Sequence, residues 1–323
     1  MKKRIVLTVI MSAAAFLACR PAASQIFGSR PITMVVPYAA AGTGEVLGRL
    51  LAQKMTEALG ENIIVELRPG AGGNIGAEYV AKSAHPDGHT FLLAASSLAT
   101  TVSLMKLRFD PRKDLAPVAG IAAIPNLLVV SAQAPYRSLA DIVAAGKRDP
   151  NALTFGSSGP GTGSHLAGEL FRVMAAIPMT HVPYKGSGAV YPDLIAGRVT
   201  MLFDVMGSAI GQVKGGRVRA LATTSSRRSP TLPEVPAIAE SFPGYEFVTW
   251  FGFFAPAGTP QETITKLERA TSAALQTSDM QERLSQLAAD PIPVPAREFG
   301  NYFLADVEHW AKLVREGRVP PLE

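Results

Sequence analysis

The sequence predicts an α/β protein of two domains, the second inserted into the first, on three observations. At 323 residues the chain is long enough for two full cores. From residue 31 on, short apolar, β-branched runs alternate with helical patterns, which argues for mostly parallel sheets covered by helices. The last third then brings helices with no strand series to give them a sheet of their own, so they are expected to pack back on the first domain. The expected division is residues 25–126 plus 247–323 for the first domain and 127–246 for the second. Two crossovers join them, one near Pro125-Asn126 and one between Phe242 and Phe247.

Residues 1–24 are read apart from both domains. Lys2, Lys3 and Arg4 make a positive start, and Ile5 to Ala18 is apolar except for Thr8 and Ser12. Ala22-Ala23-Ser24 is a small-residue exit, so a signal peptide cut before Gln25 and export to the periplasm are expected. The apolar stretch is too short for a comfortable membrane span. Leu17-Ala18-Cys19 offers lipid anchoring at Cys19 as the less favoured alternative, with Phe16 where a leucine is usual. Without Lys2, Lys3, Arg4 and Arg20, 27 basic side chains face 26 acidic ones, and no basic tract remains to suggest nucleic acid. Cys19 is the sole cysteine, which excludes disulfide frameworks and cysteine zinc sites from the mature part.

Ile32 to Val36 reads as a buried strand. A helix follows with Leu47, Leu50, Leu51, Met55, Ala58 and Leu59 on one face and Gly60 as its stop. Ile63 to Val65 and Phe91 to Ala94 are the next strands, the latter entered by a Pro86-Asp87-Gly88 turn. Leu127 to Val130, Leu153 to Phe155, Val199 to Phe203 and Val218 to Ala222 continue the series, and Phe247 to Phe254 is a long aromatic strand. Thr259-Pro260-Gln261-Glu262 predicts a capping box with proline at the first helical position, and Ser278 with Gln281 repeats it. Phe299, Phe303, Val307, Trp310 and Val314 give a terminal helix one apolar face.

Two glycine-rich strand-to-helix turns stand out, Pro37 to Glu45 and Phe155 to His165. Each should present backbone N–H groups at a helix amino end, where the dipole and the unpaired donors favour an anion. With one turn in each expected domain, the two helix ends would face each other across a cleft. Gly42, Gly44 and Gly48, with Glu66 ending the next strand, also mimic a dinucleotide fingerprint, but expected export counts against a nicotinamide cofactor. No serine stands in Gly-x-Ser-x-Gly and no Gly-Lys-Ser/Thr occurs, so the nucleophile elbow and the phosphate loop are excluded. Pro86 and Gly88 keep His85 and His89 off one helix face, which favours turn histidines over a metal site. His165 reads equally as a donor beside a ligand or as a satisfied helix-end histidine. Lys185 stands in a flexible turn suited to an anion or simply solvated, and Asp204 ends a strand at the same sheet edge or caps a turn. No acid/base pair is evident, and no cofactor is expected.

Six ordered motifs carry a resemblance: Val36 to Gly42, Arg68 to Gly76, Pro86 to Gly88, Gly159 to Leu166, His181 to Gly186, and Leu232 to Pro236. Together they resemble the Bug family, the receptors of tripartite tricarboxylate transporters, over nearly all of the mature chain. The resemblance implies a type II periplasmic-binding-protein clamshell of two Rossmann-like α/β domains joined by two crossover segments. It implies a small carboxylate held partly through water and delivered to one large and one small integral membrane subunit, by a receptor that usually works as a monomer. Carried over, the contacts are Tyr38, Ala40, Gly42 and Thr43 in the first loop, with Asn74, Ser96 and Ser97 on the floor. Ser158, Gly159, Thr162, Ser164 and His165 come from the second domain, with Lys185, Gly186 and Asp204 nearby. Glu45 departs from the family's usual aspartate and would shrink the pocket or face a ligand amino group. Little charge is expected in the pocket, which argues for a ligand of modest charge. An exported enzyme acting on a carboxylate and a subunit presenting its ligand to a membrane sensor are the alternatives.

Overall fold

The first strand, β1 (Ile32–Val36), is buried almost throughout, and β2 (Ile63–Leu67) and β3 (Thr90–Ala95) lie parallel on either side of it. Between β1 and β2 runs α1 (Thr43–Leu59), which buries Leu47, Leu51 and Met55 at helical spacing and ends at Gly60. Then come α2 (Asn74–Lys82), α3 (Ser97–Leu104) and the single turn α4 (Pro111–Asp114), capped by the Asp110 side chain. The computed structural model describes residues 30–40, 42–292 and 294–322. The expected signal peptide, its cleavage before Gln25 and Cys19 lie outside the described residues.

The next strand governs the architecture. β4 (Leu115–Ser131) is 17 residues long and belongs to two sheets in turn. Its first part, to Pro125, pairs antiparallel with β9 (Val248–Pro256), which in turn pairs antiparallel with β3. From Asn126 on it pairs antiparallel with β7 (Met201–Val205) on one side and β8 (Val218–Thr223) on the other. The second sheet is completed by β5 (Thr154–Ser157) and β6 (Thr180–Pro183), where β5 runs parallel to both β6 and β7. Its helices are α5 (Leu139–Arg148), α6 (Gly163–Met174), α7 (Tyr191–Ile195) and α8 (Met206–Lys214). After β9 the chain returns as α9 (Gln261–Leu275), α10 (Ser278–Gln286), the short β10 (Asp290–Pro291) against β4, and α11 (Ala296–Arg315). By contacts, Pro31–Glu323 form one unit.

Several expectations are corrected. The sheets are mixed rather than mostly parallel, because β4 and β9, which carry the chain from one sheet to the other, run antiparallel to all their neighbours. The strand expected at Leu127 starts at Leu115 instead. Alanines and prolines in its first half hide the β-branched pattern, and pairing on both sides fixes the conformation. Pro260 precedes α9 instead of opening it, and the Thr259 hydroxyl donates to Pro256 O (2.8 Å) rather than forming a capping box. Ser278 is the first residue of α10, not its cap, and Gln281 reaches back to Leu275 O.

The terminal helix serves both cores rather than the first alone. Phe299, Phe303 and Val307 join Trp250 and Phe254 under the first sheet, while Trp310 and Leu313 enter the second core beside Phe247. Leu313 takes the buried place expected of Val314, which is only partly covered. A Cβ on Gly252 in β9 would lie 2.0 Å from the Phe299 ring. Gly252→Ala is therefore expected to cost about 3 kcal/mol through overpacking, read as a lower urea midpoint with an unchanged slope.

Candidate functional site

The carboxyl ends of β1, β2, β3, β5, β6 and β7 open onto one cavity of about 570 Å³. This is where open α/β sheets present loops and helix amino ends to ligands. The turn after β1 leads into α1 with Gly42 at the cap, and the turn after β5 leads into α6 with Thr162 at the cap. α3 starts after Ser96 and α8 after Val205. None of the four has a side chain capping its amino end, so their backbone donors and dipoles are left to whatever occupies the cavity.

Tyr38, Ala40, Gly42, Thr43, Ser96, Ser97, Ser158, Gly159, Thr162, Ser164, Lys185, Gly186 and Asp204 all line this cavity. Asn74 and His165 do not. Asn74 is turned to the backbone, donating to Ala71 O (2.9 Å) and accepting from the Thr101 hydroxyl (3.2 Å), so it braces the Gly70–Gly73 turn against α3. His165 lies behind the second loop, its Nδ1 accepting from Gly161 N (3.2 Å). Glu45 is also outside the lining. Arg49, one turn on, holds its carboxylate at 2.7 Å, so it neither narrows the cavity nor faces into it.

Other lining residues went unread in the sequence. Pro69 to Gly73 carry a visible motif, whereas Ser208, Thr249 and Phe251 have no local signature, because their place depends on where α8 and β9 pack. Ser208 Oγ lies 2.7 Å from Thr43 Oγ1, so the start of α1 meets the start of α8 across the cavity.

The lining is largely apolar and backbone, with hydroxyls set into it, and among the described residues Lys185 and Asp204 are its only charged side chains. Burial pushes the Asp204 carboxyl up to about 6, against the opposing pull of hydrogen bonds from Tyr191 (2.8 Å), Ser187 and Val205 N (2.9 Å). Burial pushes the Tyr38 phenol up to about 12, so it stays protonated while accepting from Ala95 N at 2.6 Å. The Ser96 hydroxyl is buried with no hydrogen-bond partner in the protein, a group whose desolvation a bound oxygen would offset. A serine–histidine pair does exist, Ser157 Oγ to His181 Nε2 at 2.6 Å, but Ser157 is fully buried and outside the cavity lining. Backbone donors and hydroxyls, rather than countercharges, are what this arrangement could offer an anion.

The family model for the tripartite tricarboxylate transporter family receptor matches residues 47–318. Protein BugT of Bordetella pertussis is 34% identical over 300 residues, covering 92% of this chain and 92% of its own. Among solved structures, R. palustris Rpa4515 with adipate superposes with a TM-score of 0.86 at 35% identity, covering 92% of this chain and 100% of that one. The periplasmic binding protein BugD gives 0.86 at 32% identity, over 91% and 99%.

Proposed function

Since the chain belongs to the tripartite tricarboxylate transporter receptor family, that of the Bug proteins, and has the periplasmic-binding-protein fold, we propose that it captures a small carboxylate in this cavity and hands it to a membrane transporter of one large and one small integral subunit. The observation that carries the reading is the ring of four uncapped helix amino ends around a cavity that, among the described residues, has a single cation. In this reading residues 25–126 with 247–323 form one lobe and 127–246 the other. They close on the ligand about the changeover at Pro125-Asn126 and its return before Val248. The cavity residues named above are the proposed ligand contacts, and the receptor acts as a periplasmic monomer without chemistry of its own, exported by residues 1–24. One lining cation set against Asp204 favours mono- and dicarboxylates over citrate.

A thermal-shift screen of the mature protein against carboxylates, amino acids and nucleotides tests this. A ligand at a hundredfold excess over its Kd stabilises the native state by about 2.7 kcal/mol. The expected result is a clear shift with adipate or another small carboxylate and none with nicotinamide nucleotides. The reverse pattern, or a marked preference for citrate, would overturn the assignment or its charge argument respectively.

A further inference from the structure

Behind the second loop three rings are stacked. His165 lies on His181 with centroids 3.8 Å apart and planes 17° from parallel, and His181 lies on Phe155 at 4.9 Å. Neither imidazole lines the cavity. What they touch is the loop's backbone. Nδ1 of His165 accepts from Gly161 N, which puts its proton on Nε2, 4.0 Å from the Glu169 carboxylate. Ser157 Oγ accepts from Gly159 N (3.1 Å) and shares a second hydrogen bond with His181 Nε2 (2.6 Å), whose direction follows the His181 tautomer. His165 thus supplies a lone pair that holds the Gly161 N–H directly, while His181 stands behind the hydroxyl that holds the Gly159 N–H.

Those two glycines set the loop's course. Gly159 (φ +130°) and Gly161 (φ +74°) adopt backbone conformations that a residue with a Cβ rarely takes. With both N–H groups drawn back into the ring stack, the cavity side is left with the amino end of α6 and a joined cluster of hydroxyls, Ser158 to Ser164 (2.8 Å) and Ser164 to Thr162 (3.0 Å).

We infer that His165 is a positioning residue for the ligand-binding loop that works only while its ring is uncharged, so that a proton on it releases the loop and switches carboxylate capture off. A protonated Nδ1 on His165 would point a hydrogen at the Gly161 N–H, whereas Ser157 Oγ can accept from Gly159 N and from a protonated His181 Nε2 together. Two imidazolium rings 3.8 Å apart would also repel each other. The charged groups bearing on the pair are Glu169 and Arg172, one and two turns along α6 and joined at 2.8 Å; β5 contributes the uncharged Phe155 and Ser157, and β6 carries His181 itself. In keeping with this, burial lowers both imidazoles to about 4, helped by Arg172 at His165 and by His165 at His181, where Glu169 pulls the other way.

The inference rests on the receptor reading, and its test separates the two. Adipate affinity is measured by calorimetry from pH 7.5 to 3.5 for the wild type, His165→Asn and His165→Leu; protonation of adipate itself is common to all three. Asparagine places an oxygen acceptor where Nδ1 stood and takes no proton. It is expected to bind within about threefold of wild type at neutral pH and to lose less affinity in acid, whereas leucine loses about tenfold or more throughout. Leucine binding like wild type, or a wild-type to asparagine ratio that is constant with pH, overturns the inference. Should the leucine variant not fold, the asparagine comparison decides alone. Should adipate bind none of them, the amide resonances of Gly159 and Gly161 decide. They are expected to move with acidification in the wild type, with Gly161 unmoved in His165→Asn, and amides that stay still in the wild type refute the role.

Discussion

Gly72→Ala is expected to weaken carboxylate binding by about a hundredfold while costing the unliganded protein only about 1 kcal/mol. Gly72 sits in the turn after β2 with φ +67°, where alanine carries a left-handed penalty of about 1 kcal/mol whether or not ligand is present. The larger effect comes from the neighbour. An added Cβ would stand 2.9 Å from Pro160 O and 3.1 Å from Gly161 C, both backbone atoms of the second loop, which have no rotamer by which to give way. The methyl group therefore pushes apart the two loops whose apposition shapes the cavity. A hundredfold corresponds to about 2.7 kcal/mol, within the usual range for overpacking. Gly211→Ala in α8, where nothing lies within 4 Å of the added methyl, serves as the neutral comparison. Calorimetric titration with adipate checks both, and equal Kd values for Gly72→Ala and wild type would refute the closure argument.

The loops of the cavity were legible because their chemistry is local. Closely spaced glycines after a buried strand announce a turn into a helix amino end, and Tyr38, Ala40, Gly42, Thr43, Ser158, Gly159, Thr162 and Ser164 line the cavity at two such turns. What depends on packing was not legible. The first half of β4 reads as a weak strand, since Ala116, Pro117 and Ala119 lack β propensity and are held by β9 across the sheet. Ser208 and Thr249 reach the cavity only because α8 and β9 meet α1 and the second loop in space. His165 read equally as a ligand donor or a satisfied helix-end histidine, and its Nδ1 accepts from Gly161 N behind the loop. Sequence gives the angular position of a side chain on a helix, not which backbone amide it will find. The same holds for Asn74, whose amide binds the turn before it, and for Glu45, claimed by Arg49 four residues on.

Packing also decides the stability of the buried acids. Asp306 in α11 accepts from the Trp250 indole at 2.7 Å, in a cluster where Trp250 meets Phe299, Tyr302 and Phe303 edge to face. Burial raises its carboxyl from 3.8 to about 6, outweighing the indole hydrogen bonds and His309. A raised folded-state value means that between 3.8 and 6 the native protein binds the proton that the unfolded chain has released, so stability falls as pH rises through this window. Above about pH 6 the folded protein carries the full cost of an ionised, desolvated carboxylate. At about 1.4 kcal/mol per tenfold in proton affinity the ceiling is about 3 kcal/mol, and the side chain's residual exposure brings it to about 1–2 kcal/mol.

Asp306→Asn keeps an acceptor for the indole and removes the charge. It is therefore expected to be more stable than the wild type at pH 8 by about 1–2 kcal/mol, with the gain fading between pH 6 and pH 4. Asp306→Ala removes the acceptor as well and is expected to lose about 1–3 kcal/mol at pH 4, where charge no longer matters. The comparison has to be made between variants at each pH. His165 and His181, lowered from 6.5 to about 4, pull the other way, and their contribution disappears as pH falls through that same range. Urea unfolding at constant ionic strength reads the difference. An asparagine variant less stable than wild type at pH 8 would mean that the indole requires a charged acceptor, and that Asp306 stabilises the fold as an ion.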